Sequence, residues 1–91
     1  MSRFRKAESV SEAPSGDALM LVHLDRGTAY RLNGTARLMW ELAVAGWSAE
    51  EIGDSLAARL ETSPDRLRAD ATALMDQLVS EALLEPAGGA R

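Results

Sequence analysis

At 91 residues the chain is the length of one modest domain, and its 46% apolar and 26% charged content is ordinary for a globular protein. Fourteen acidic against ten basic side chains give a net charge of −4, which argues against a general nucleic-acid binder, and the lack of cysteine excludes disulfides, thiolate catalysis and cysteine zinc sites. No stretch approaches the roughly 20 apolar residues of a membrane helix, and no apolar run follows the basic residues of MSRFRKAES, so a cytoplasmic chain is expected.

In chain order, residues 3–10 (RFRKAESV) have Phe4 as their only bulky anchor and are expected to form an edge strand or an arm. Residues 11–18 (SEAPSGDA) are polar, with Pro14 and Gly16, and have the composition of a loop. The run 19–25 (LMLVHLD) has strand length and should be buried on both sides. Asp25-Arg26-Gly27 is hairpin chemistry, because Gly27 accepts the positive φ of a tight turn. The following strand, 28–33 (TAYRLN), alternates: Tyr30 and Leu32 share one face, Ala29 and Arg31 the other.

From residue 34 the period changes to that of a helix. Over 34–45, Ala36, Met39, Trp40 and Ala43 share a face that Leu38 and Leu42 widen, with Asn33 as N-cap and Gly46 as the stop. Ser48 and Glu51 form a capping box for a helix over 48–60, whose buried stripe is Ile52, Leu56 and Leu60. Ser63 or Thr62 caps a third helix over 64–83, with Pro64 at its first position. Its stripe is Leu67, Ala71, Leu74 and Leu78, flanked by Met75, Val79 and Ala82, and residues 86–91 are expected to be a disordered tail. The expected fold is α+β: a small three-stranded antiparallel sheet followed by three helices, in one domain over residues 1–85.

An enzymatic reading finds little support. His23 is the only histidine and sits mid-strand among apolar neighbours, and no nucleophile has an evident base beside it. Glu50, Glu51 and Asp54 form a solvated helix face with a favourable charge at a helix N-terminus, not an acid/base pair. Catalytic residues, a metal and a cofactor are therefore not expected. A hairpin with helices also suits winged-helix DNA binding. Here, however, the 48–60 helix sets Glu50, Glu51 and Asp54 against Arg59, and the 64–83 helix sets Asp65, Asp70, Asp76 and Glu81 against Arg66 and Arg68. Either would bring net negative charge to phosphates.

The last helix carries apolar residues on two adjoining faces, more than one packing surface consumes. Each of them can equally be core. If one face covers the sheet, the other can border a groove, and a groove between a strand edge and a helix suits a peptide that adds as a further strand.

Taken together, Leu24, Asp25, Gly27, Tyr30, Leu32, Asn33, Ala36 and Trp40, then Glu50-Glu51-Ile52, then Asp70, Leu74 and Leu78, ending in Ala82-Leu83-Leu84, resemble the PqqD-like family of peptide recognition elements for ribosomally made, modified peptides. The resemblance spans about residues 19–86. It is strongest to the stand-alone leader-binding proteins of lasso-peptide biosynthesis. The quinone-cofactor branch is similar in fold, but its Tyr-Pro-Glu-Gly type of turn is absent. Alanine stands at position 82, where many relatives have glycine.

The resemblance implies a winged-helix-like domain that binds a precursor's leader peptide without catalysis and delivers it to a separate cysteine protease, with a cyclase acting on the core peptide. Nucleic acid and membrane are not implied as partners. Backbone groups of Thr28, Ala29, Tyr30, Arg31 and Leu32 would supply ladder bonds. Leu67, Ala71, Leu74, Met75 and Leu78 would line pockets, and Arg31 and Asp70 would set orientation by charge. Another modified-peptide or quinone-cofactor pathway is the alternative, with winged-helix DNA binding a more distant one.

Overall fold

The structure, a computed structural model, describes residues 2–87. In chain order the elements are β1 (Phe4–Lys6), β2 (Val10–Ser15), β3 (Ala18–His23), β4 (Thr28–Leu32), α1 (Gly34–Val44), α2 (Ala49–Leu60), α3 (Pro64–Ser80) and β5 (Leu84–Pro86). Strands β2, β3 and β4 form an antiparallel sheet in that order, and β1 pairs with β5 in a separate two-stranded ribbon. The fold class is α+β, sheet first and helices after.

The apolar run 19–25 supplies the central strand, but only one of its faces is fully covered. Leu19, Leu21 and His23 are buried, whereas Met20 and Val22 are half-buried on the opposite face and Leu24, past the strand end, is 66% exposed. The register sets Leu19 opposite Leu32, Leu21 opposite Tyr30 and His23 opposite Thr28, so Tyr30 and Leu32 share the inner face as expected.

The segment 11–18, expected as a loop, is instead most of an edge strand and its turn. Val10 to Ser15 pairs with His23 to Ala18, and the chain reverses through Gly16 and Asp17, with Gly16 at φ 61° as the first central residue of a two-residue hairpin. Pro14 does not prevent this. The Leu24 N–H donates to the Ser9 carbonyl at 2.8 Å, which makes Ser9, Ser11, Ala13 and Ser15 the β2 residues whose amides face β3. Pro14 therefore falls where the missing N–H would have pointed to solvent, the position a proline tolerates on an edge strand.

The arm 3–10 is likewise split. Phe4, Arg5 and Lys6 pair antiparallel with Pro86, Glu85 and Leu84. Flanking bonds run from the Ala87 N–H to the Arg3 carbonyl (2.9 Å) and from the Ala7 N–H to the Leu83 carbonyl (3.1 Å). The expected disordered tail thus begins, at Pro86, inside a strand; residues 88–91 lie outside those described.

The helices start where their caps predict. The Asn33 Oδ1 accepts from the Ala36 N–H at 3.1 Å, and Ser48 and Glu51 form the reciprocal capping box. Their stripes meet in one core with Trp40, Ile52, Leu56, Met75, Leu78 and the sheet's inner face. Leu60, expected in the stripe of α2, is 44% exposed.

Two backbone details shape the helical part. A Cβ on Gly53 would come within 2.6 Å of the Arg68 Cα and N, so α2 and α3 cross at a distance only glycine permits. Helix α3 stops at Ser80 rather than near Leu83, because Ala82 adopts φ 62°. The Ala82 N–H then donates to the Val79 carbonyl and the Leu83 N–H to the Leu78 carbonyl, a Schellman closure that turns the chain into β5.

Candidate functional site

The sheet has two edges, and they differ. In β3 the carbonyl of His23 faces β4, since it accepts from the Gly27 N–H at 2.8 Å. Amide direction alternates along a strand, so Thr28, Tyr30 and Leu32 bond inward to β3. Ala29 and Arg31 present their N–H and C=O to the outside, and no turn or loop bond among the described residues engages them. The β2 edge is poorer. Its outward positions are Val10, whose N–H is taken by the Ala7 carbonyl at 3.2 Å, Glu12, whose carboxylate pairs with Lys6, and Pro14, which has no N–H.

The lone histidine serves the hairpin that ends in the open edge. His23 is 7% exposed, and its Nδ1 accepts the Arg26 N–H at 3.2 Å. Across the turn the Ser9 hydroxyl donates to the Asp25 carboxylate at 2.6 Å. Both contacts fix the turn that sets where β4 begins, and neither is arranged for proton transfer to a ligand.

The residues expected to line pockets divide sharply. Leu67, Ala71, Met75 and Leu78 are 5, 0, 1 and 0% exposed and belong to the core of the free chain. Their side chains are used by helix and sheet packing, because their stripe is the one that faces the core centre, and Met75 in addition forms part of the floor of a groove shared with Phe4 and Ala49. Leu74 is half-buried at the rim of that core, and Asp70 is exposed, 3.8 Å from Arg66.

The flanks of α3 explain the division. Arg68 lies against Gly53, and Thr72, Met75 and Asp76 line a pocket of about 170 Å³ with Phe4, Ala49 and Glu50, so α2 and β1 border that flank while Thr72 and Asp76 stay exposed. At 3.6 residues per turn, Asp70, Leu74 and Gln77 fall on the other flank. Of the five apolar helical positions expected at the site, Leu74 alone keeps part of its surface free. Of the five strand positions, Ala29 and Arg31 carry the free backbone groups, Thr28 is exposed, Tyr30 is half-buried against the core and Leu32 is buried.

On the opposite side of the molecule Arg3 clasps the start of α2. Its Nη1 donates to the Glu51 Oε1 at 2.7 Å and to the Gly46 carbonyl at 2.6 Å, and its Nη2 reaches the Glu51 Oε2 at 3.2 Å. The guanidinium, together with the Ser48 N–H, holds the Glu51 carboxyl well below the usual carboxylate range, to about 2. This is structural chemistry, and the sequence carries a signal only for its Ser48–Glu51 half. Among the described residues no group of three or more His, Cys, Asp or Glu side chains could hold a metal ion, and no helix is long and apolar enough to cross a membrane.

The family model for coenzyme PQQ synthesis protein D (PqqD) matches residues 18–84, from the start of β3 to the start of β5. The chain belongs to the PqqD family. Strands β1 and β2 lie outside the matched part. Among solved structures the chain is similar to TbiB1 in complex with the TbiA(beta) leader peptide, at 27% identity over 89% of this chain and 94% of that one, with a TM-score of 0.81. It is also similar in fold to lasso peptide synthetase B1 complexed with the leader peptide, at 24% identity over 92% of this chain and 99% of that one, with a TM-score of 0.85. No curated protein matches the chain significantly. A PqqD-family fold with one open strand edge is thus what the site offers.

Proposed function

We propose that this PqqD-family chain is a recognition element for the leader segment of a ribosomally made precursor peptide, acting in lasso-peptide biosynthesis. The observation that carries the reading is the open β4 edge, where Ala29 and Arg31 hold outward backbone groups in a fold similar to leader-bound B1 structures. A leader adding antiparallel to β4 gains main-chain bonds, each contributing about 0.5–1.5 kcal/mol net, and lies beside the Asp70–Leu74–Gln77 flank of α3. The chain itself performs no covalent step. It holds the leader while a separate cysteine protease cuts it and a cyclase closes the core peptide.

The test is fluorescence polarisation with labelled leaders encoded by precursor genes beside this one. Saturable binding is expected, lost when Ala replaces the Tyr or the Pro that leaders of the resembling lasso systems present at set spacing. Ala29→Pro removes one outward N–H and should weaken binding about two- to tenfold with the far-UV spectrum unchanged. Full binding by a folded Ala29→Pro and a folded Arg31→Pro variant would sink strand addition. Binding only to precursors of another modified-peptide or quinone-cofactor pathway would keep recognition and reassign the pathway.

A further inference from the structure

The open edge carries one charge, Arg31, and no ion pair among the described residues engages it. Arg3, Arg5, Lys6, Arg37, Arg66 and Arg68 each lie within 4.0 Å of a carboxylate, whereas among the described residues no ion pair engages Arg26, Arg31 or Arg59, and of these three only Arg31 stands on a strand edge. Arg31 points to the outer face of the sheet, opposite Met20, with Ala29 opposite Val22 and then Ser11 and Ala13 further across. None of the residues that the register puts on that face carries a carboxylate. The face is uncharged up to its rim, and at the rim stands an exposed guanidinium with no ion pair among the described residues.

Strand geometry converts this into a requirement on the occupant. Arg31 and Ala29 are the outward-bonding residues, so an added antiparallel strand places one residue directly opposite each of them. Those two occupant side chains lie on the outer face, close enough to Arg31 and Ala29 to interact as cross-strand pairs. The residue between them, opposite Tyr30, turns to the inner face, where Tyr30 is half-buried against the core.

Resting on the leader-recognition reading above, we infer that the occupant carries a carboxylate opposite Arg31, then an apolar residue beside Tyr30, then a small or β-branched residue opposite Ala29. Read from its N-terminus, the recognised segment is acidic–apolar–small. The carboxylate fixes direction as well as register: a strand slipped by one residue puts that acid on the inner face, and a strand added in parallel loses the direct pairing with Arg31. The β2 edge offers no such code, since its outward carboxylate, Glu12, is already paired with Lys6 at 3.4 Å.

The experiment is a charge-swap cycle read by fluorescence polarisation. Its probes are the labelled leader encoded beside this gene and a series in which each Asp or Glu of that leader is replaced in turn by Lys. Arg31→Glu, with an unchanged far-UV spectrum, should bind the natural leader about five- to tenfold more weakly. One member of the Lys series should restore the loss, and that same member should bind the unaltered protein poorly. Natural-leader binding indifferent to Arg31→Glu but weakened by Ala29→Pro overturns this inference and leaves strand addition standing. Loss in Arg31→Glu that no member restores also overturns it. If the unaltered protein binds no leader at all, the parent reading fails and the inference with it.

Discussion

The two sides of α3 are built on opposite terms. On one side, α2, β1 and β5 are tied together: Gly53 lets the helix backbones touch, Arg3 clamps Glu51, and β1 pairs with β5. On the other side α3 keeps Leu74 half-exposed beside Asp70, and in the sheet the β4 edge leaves the amides and carbonyls of Ala29 and Arg31 without a bond among the described residues. A group already satisfied in the free chain contributes to stability, and a group left open contributes when something binds. Substitutions on the closed side should therefore change stability, and those on the open side should change affinity.

The sharpest way to break this comparison uses two neighbours on α3. Met75 is 1% exposed, so Met75→Glu buries an uncompensated carboxylate and should cost on the order of 4 kcal/mol, a large part of the stability of a domain of this size. Leu74→Glu, one residue away on the half-open rim, should leave the far-UV spectrum intact and weaken leader binding. Circular dichroism with polarisation on both variants decides the matter. Equal stability of the two proteins would mean that the two flanks of α3 do not differ as described.

Next in size is Gly53→Ala. Alanine favours an isolated helix by about 1 kcal/mol over glycine, yet here its Cβ would meet the Arg68 backbone at 2.6 Å and force α2 and α3 apart. Overpacking of this kind costs about 1–3 kcal/mol. A lowered urea midpoint at unchanged slope is expected, with leader affinity retained. A more stable Gly53→Ala protein would show that the helices can separate freely and that the closed side is looser than its geometry.

These residues show what local sequence conveys and what it does not. Caps and helical stripes are local, and Asn33, Ser48, Glu51 and Ser63 cap their helices as their spacing implies. The β3–β4 hairpin is local too. Strand β2 is hard to read locally because Pro14 and Gly16 are turn residues by composition, and only the pairing parity shows that Pro14 sits where no bond is lost. Pairing of Phe4 with Pro86 joins the two ends of the chain, and no short-range pattern announces it. For the site, alternation along 28–32 revealed the faces of Ala29 and Arg31. It took the position of α2, through Gly53, to show that Met75 is core and Leu74 is rim.

A smaller effect follows acid titration of the clasp. Glu51 is held near 2 by Arg3 and the Ser48 N–H, below the ordinary glutamate value of about 4.3. A carboxyl depressed by folding contributes stability that is fully present above its unfolded value and is lost as pH falls through that value toward about 2. The stability difference between the unaltered protein and Arg3→Ala should thus be constant near neutral pH and shrink between about pH 4.5 and 2. A difference that persists at the acid end would assign the clamp to the Gly46 carbonyl bond instead. Leader binding at neutral pH should not distinguish the two proteins.

The smallest effect has the opposite sign. Ala82 ends α3 with φ 62°, a left-handed conformation that costs an L-residue about 1–2 kcal/mol and glycine almost nothing. Glycine gains more freedom in the unfolded chain, which offsets part of that relief, so Ala82→Gly should stabilise by about 0.5–1 kcal/mol. For a domain of this length that is a rise of a few degrees in Tm, readable by calorimetry. The closing bonds from Ala82 to Val79 and from Leu83 to Leu78 feed directly into β5 and its pairing with β1. The gain therefore belongs to the closed side, and affinity for a leader at the β4 edge should stay as it was. If Ala82→Gly instead altered affinity, the turn after α3 would have to be transmitting its geometry across the core to Leu74, and the division between the two sides would no longer hold.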